Sequence, residues 1–150
     1  MAKKALATLT DAQLRKLIEQ RPPDIARLGK AVLGKMRQLL PGAAELVYDK
    51  RNSLVIGFCS EDRASNVINS IATYSKWINL YFFEGDTLPD PGGLLQGSGS
   101  IVRSIRITDS AQLDDPAVKN LIAAAAKCAE PPLNRKAKRK IVLRQSSRLR

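Results

Sequence analysis

Apolar residues recur at helical spacing near both ends of the chain and at a spacing of two between them. Leu14, Leu17 and Ile18 follow Thr10-Asp11-Ala12-Gln13, where Thr10 is placed to cap a helix and Gln13 to complete a capping box. Pro22-Pro23 breaks that helix. A second opens at about Pro23, with Ile25, Leu28, Val32, Met36, Leu39 and Leu40 on one stripe, and ends at Pro41-Gly42. The period then changes to two. Strands are expected at Leu46-Val47-Tyr48, at 54–59, at 67–74 and 77–83 around a tight turn at Ser75-Lys76, and at 100–108. Asp114-Asp115-Pro116 signals a last helix over 117–129, stopped by Pro131-Pro132.

Helices segregated from a meander of strands imply an α+β fold. The expectation is two N-terminal helices, a five-stranded mainly antiparallel sheet, one C-terminal helix packed on the same sheet face, and a basic tail. Short turns between strands exclude βαβ crossovers in the middle of the chain. Residues 1–9 read as an N-terminal extension, 10–133 as the domain, and 134–150 as the tail. Within the tail Ile141-Val142-Leu143 reads as a short edge strand or a merely extended piece.

Composition narrows the chemistry. At 150 residues and 44% apolar content, one domain with a real core is expected. No apolar run approaches the roughly 20 residues that cross a bilayer, and Met1 to Thr8 lacks the apolar core of an export signal, so the expected compartment is the cytoplasm, with no membrane partner. Cys59 and Cys128 are expected as two buried reduced thiols. The absence of histidine removes His-based acid–base catalysis, Ser-His and Cys-His nucleophiles and most zinc sites. The chain therefore reads as a non-enzyme, with no catalytic residue, cofactor or metal set assigned.

The net charge of +11 is an appendage. Residues 134–150 hold Arg135, Lys136, Lys138, Arg139, Lys140, Arg144, Arg148 and Arg150 and no acid, while residues 5–133 carry 15 cations against 14 acids. The first six of those tail cations are the candidate nucleic-acid contacts, acting by counterion release. No aromatic residue accompanies them for base stacking.

Two other constellations are candidates. The Gly-Pro loop from Leu88 to Gly99 empties into a strand in which Arg103 is in phase with Ile101, Ile105 and Ile107, so Arg103 either pairs with an acid such as Glu45 or Asp49 or lines a cavity. The loop lacks Gly-Lys-Ser/Thr and a following helix, which excludes a phosphate cradle. In the hairpin, one face is expected to hold Val67, Asn69, Ile71 and Thr73 with Trp77, Asn79, Tyr81 and Phe83. The other, core-like face is expected to hold Ile68, Ser70, Ala72 and Tyr74 with Ile78, Leu80 and Phe82. Trp77, Asn79, Tyr81 and Arg103 form the expected ligand-binding surface: aromatics to stack, an amide to orient, a cation for an anionic group. The acidic pairs Glu61-Asp62 and Asp114-Asp115 read as loop and cap residues.

Several segments together resemble the YdhG-like family (bacterial domain of unknown function 1801). They are Glu61-Asp62-Arg63-Ala64-Ser65, Ile71-Ala72-Thr73-Tyr74, Trp77-Ile78-Asn79-Leu80-Tyr81-Phe82-Phe83, Leu88-Pro89-Asp90-Pro91 with Leu94-Leu95-Gln96-Gly97-Ser98-Gly99, and Leu113-Asp114-Asp115-Pro116. The resemblance covers residues 24–130. It implies a compact α+β domain and, through one distantly frataxin-like branch, intracellular iron delivery by surface acids. The acids here are scattered, and the family supplies no catalytic residue. The expected function is a non-enzymatic binding module for an unidentified protein or small molecule. The alternatives are a nucleic-acid- or ribosome-associated protein acting through the tail, and an iron chaperone.

Overall fold

The computed structural model describes residues 7–97, 99 and 101–146. The chain is α+β. Strand β1 (Ala7–Thr8) precedes helices α1 (Asp11–Ile18) and α2 (Pro23–Leu39). Strands β2 (Ala44–Asp49), β3 (Leu54–Cys59), β4 (Val67–Thr73), β5 (Ile78–Phe82) and β6 (Arg103–Ile107) follow, then α3 (Pro116–Lys127) and β7 (Ile141–Ser146). The capping box of α1 forms: the Thr10 hydroxyl accepts from the Gln13 amide and the Gln13 side chain accepts from the Thr10 N–H. Pro23 and Pro116 open α2 and α3 at positions that need no N–H donor. Gly42, at φ +84°, reverses the chain after α2, where a Cβ would lie 2.1 Å from the Asn134 carbonyl oxygen.

The sheet corrects the five-stranded expectation. It has seven strands in the order β1-β7-β2-β3-β4-β5-β6, and it is mixed, because β7 runs parallel to β2 while its other pairings are antiparallel. Both extra strands come from segments read as extension and tail. Strand β7 is inserted between β1 and β2 rather than lying at an edge. The run Ile141-Val142-Leu143 has no alternation because both faces of this strand are covered, as interior strands require. Ile141 enters the main core, and Val142 joins a small cluster with Leu46 and Cys59 on the opposite face.

All three helices pack on one face. Val47, Leu54, Ile56, Phe58, Ile71, Ile78, Leu80, Phe82, Ile105 and Ile107 meet Leu14, Ile18, Val32, Leu33, Met36, Val118, Leu121 and Ile122 there. Gly29 allows α2 to approach closely, since a Cβ would sit 3.1 Å from Ile18 and 3.5 Å from Thr73. A buried ion pair locks the helices to the sheet: Arg37 donates from Nε and Nη2 to both oxygens of Glu45 at 2.8 Å, and from Nη1 to Asp11 at 2.6 Å. Arg139, from the tail, adds a contact to Glu45 at 3.8 Å.

The hairpin faces also differ from expectation. Tyr74 and Trp77 pair across the two-residue turn, so residues of opposite parity oppose one another: Asn69 with Phe82, Ile71 with Leu80, Ser70 with Tyr81, Ala72 with Asn79. The expected grouping of equal parities needs a turn of odd length. Asn69, Ile71 and Thr73 therefore face the helices with Ile78, Leu80 and Phe82, and Ser70, Ala72, Asn79 and Tyr81 face away.

Candidate functional site on the uncovered sheet face

Alternation along the strands places a second set of side chains on the face away from the helices. Cross-strand register arranges them in rows: Leu46, Gly57, Ser70, Tyr81 and Ser104 in one, and Tyr48, Val55, Ala72, Asn79 and Arg106 in the next. Gly57 contributes no side chain to its row. The result is a trough of about 250 Å³ with Leu46, Tyr48, Val55, Val67 and Phe83 on its walls and Ser70 beside Gly57 on its floor. No residue of α1, α2 or α3 lines it. Cys59 borders the trough with its thiol pushed up to about 12 by burial, so it is a neutral wall group, and burial likewise raises the Tyr48 phenol.

Toward β5 and β6 the same face turns polar. The Tyr74 and Tyr81 hydroxyls lie 3.0 Å apart, and Asn79 Nδ2 donates to Tyr81 Oη at 3.1 Å. Burial, followed by the hydrogen bond with Tyr81, pushes the Tyr74 phenol up to about 12. Arg106 places its guanidinium carbon 4.7 Å from the centroid of the Trp77 ring, which in turn tilts against Tyr74 at 5.6 Å. Trp77, 38% exposed, stands at the hairpin end.

Three of the four expected ligand residues thus share this face, and the fourth does not. Arg103 lies opposite Phe82 on the helix side. Its Nη1 donates to the Gly99 and Val102 carbonyl oxygens at 2.5 and 2.9 Å, and among the described residues it makes no ion pair. Glu45, one of the acids considered for it, is engaged by Arg37. Arg103 fastens the Gly-Pro loop to the strand it feeds. Gly85 permits this, since a Cβ there would fall 2.5 Å from Arg103 Cβ, and Asp90 closes the loop's first half by accepting from the Leu94 and Leu95 amides. Ser98 and Ser100 lie outside the described residues. On the uncovered face, the cation beside Asn79 is Arg106. Turn parity places Tyr74 on this face, and Arg106 follows from alternation with Ile105 and Ile107.

The tail cations divide. Arg135 donates to the Leu39 carbonyl oxygen, Arg139 approaches Glu45, and Lys140 pairs with Asp62 at 2.6 Å. Lys136 and Lys138 are exposed. Arg148 and Arg150 lie outside the described residues. Arg144 occupies a bulge: Val47 is opposite Leu143 and Tyr48 opposite Gln145, so Arg144 is the extra residue. Its Nε is buried with no hydrogen-bond partner among the described residues, and its charge acts on Tyr48, Cys59 and Asp62.

Cys128 is exposed, against the expectation of two buried thiols, and both cysteines are free. It borders a larger hollow of about 380 Å³ between the end of α3 and the Gly-Pro loop. A loop forms part of that wall, whereas the trough is lined mostly by the paired strands β2, β3 and β4, with Lys50, Ala64 and Phe83 beyond them. Among the described residues no three Cys, Asp or Glu side chains come together as a metal site, and no helix is long and apolar enough to cross a membrane. No protein-family model, curated protein or solved structure matches the chain.

Proposed function

We propose that this protein is a non-enzymatic, cytoplasmic binding module of the YdhG-like kind that takes its ligand on the sheet face the helices leave open. The observation that carries this reading is the trough around Gly57. It is an apolar hollow at the centre of the sheet, and across its Ser70 the register leads to a hydrogen-bonded polar end at Tyr74, Asn79 and Tyr81. Apolar walls with a few fixed polar groups are the usual composition of small-molecule sites.

The reading is tested by titrating the isotopically labelled full chain with a fragment library and following amide shifts. Binding should move Leu46, Gly57, Ser70 and Tyr81 together. Shifts confined to the helices or to residues 134–140 overturn it.

A further inference from the structure

Gly57 is the residue that makes the trough, and neither backbone nor packing explains it. Its φ is not positive, so no left-handed conformation demands glycine. A Cβ built there would meet Val67 Cγ2 at 3.5 Å and Cys59 Sγ at 3.8 Å, which is ordinary van der Waals contact. A larger residue therefore fits, and glycine inside a strand weakens it by roughly 0.5–1 kcal/mol relative to alanine. Interior strand glycines of this type mark places where something else approaches the sheet.

Size and charge describe that occupant. A dry apolar cavity of about 150 Å³ holds a benzene ring. The trough, at about 250 Å³, has room for a ring or short alkyl chain with one polar head. Its rim is cationic. Lys50 lines it, and Arg144, bulged out between the partners of Val47 and Tyr48, lies behind the lining and exerts its charge on two of the wall residues, Tyr48 and Cys59. An acid near Arg144, Asp62, is held by Lys140 at 2.6 Å. Arg144 Nε, buried and without an acceptor among the described residues, is the kind of orphaned donor that an incoming anion satisfies.

We propose that the trough around Gly57 binds a small organic monocarboxylate, its apolar body against Leu46, Val55, Val67 and Phe83 and its carboxylate on Arg144. This rests on the sheet-face reading and adds the ligand class to it. Neutral Tyr48 and the Ser70 hydroxyl are further donors within the same walls.

The test is an NMR titration of the full chain at pH 7 and constant ionic strength with benzoate, hexanoate, benzyl alcohol and benzylamine as probes. Benzoate or hexanoate should saturate in the millimolar range or tighter and shift Gly57 and Ser70. Arg144→Gln should weaken the acids about tenfold or more, the size of a lost charge-assisted hydrogen bond, without altering benzyl alcohol. Gly57→Val should abolish binding, with Gly57→Ala as the milder filling variant if valine disturbs the fold. Benzyl alcohol binding as tightly as benzoate, or acids indifferent to Arg144→Gln, overturns the carboxylate assignment and leaves the sheet-face reading standing. A face that responds to none of the four probes at about 10 mM overturns both.

Discussion

Cys59 and Cys128 show how little residue type says without its surroundings. Cys59 sits under the sheet face with its thiol pushed up to about 12 by burial, whereas Cys128 caps the end of α3 in the open. Thiolate is the reactive form, so the two should separate cleanly. A disulfide reagent at pH 8 should titrate one thiol rapidly in the native protein and the second only after urea unfolding. Two fast thiols would mean that the trough wall is open to solvent. Arg103 carries the same lesson. Its phase with isoleucines left both faces open, and its role is set by the Gly99 and Val102 carbonyls, which no spacing rule reveals.

At the scale of elements, the Arg37–Glu45 pair is the joint between α2 and β2. Arg37 is 10% exposed and Glu45 1% exposed, so removing Arg37 leaves the buried Glu45 carboxylate to the longer Arg139 contact at 3.8 Å. Arg37→Met should cost about 3–5 kcal/mol in urea unfolding at pH 7. It should also change the acid limb. Hydrogen bonding from Arg15, opposed by burial and aided by Arg37, holds the Asp11 carboxyl below its usual value of 3.8. A lowered folded value means that Asp11 stabilises the fold above pH 3.8 and that this contribution fades as pH falls through the lower value. The wild-type loss of stability below about pH 4 should therefore be shallower in Arg37→Met. An unchanged acid slope would show that Arg15 alone sets the Asp11 carboxyl. The hairpin belongs to this scale as well. A two-residue turn dictates opposite parity, so its faces could have been assigned correctly from Ser75-Lys76 alone.

For the whole molecule, the basic tail is part of the sheet. Ile141 and Val142 are buried and contribute about 1.5–3 kcal/mol each. That is a large share of a net stability of about 5–15 kcal/mol. Deleting residues 134–150 should thus abolish cooperative thermal unfolding followed by circular dichroism; a cooperative melt would show that β7 is dispensable. For the same reason truncation cannot test nucleic-acid binding. Exposed Lys136 and Lys138 can: replacing both with Gln should lower RNA retention at moderate salt if the tail reads nucleic acid, while the melt stays unchanged.

Local chemistry alone determined a good deal. The capping box at Thr10, the proline-opened helices, the period change after Gly42, the strands β2 to β6 and the α+β class all depend on groups a few residues apart, and they are legible in the order of residues. Tertiary structure decided the rest, because those features depend on partners far away in the chain. Strand β7 becomes a strand by finding β2 almost a hundred residues earlier, a pairing that also makes the sheet mixed and sets the bulged Arg144 where its charge acts on Tyr48 and Cys59. The trough likewise exists only when Gly57, Ser70 and Leu46 fall into register. A lone glycine in an apolar run carries no sign of what its neighbours leave empty.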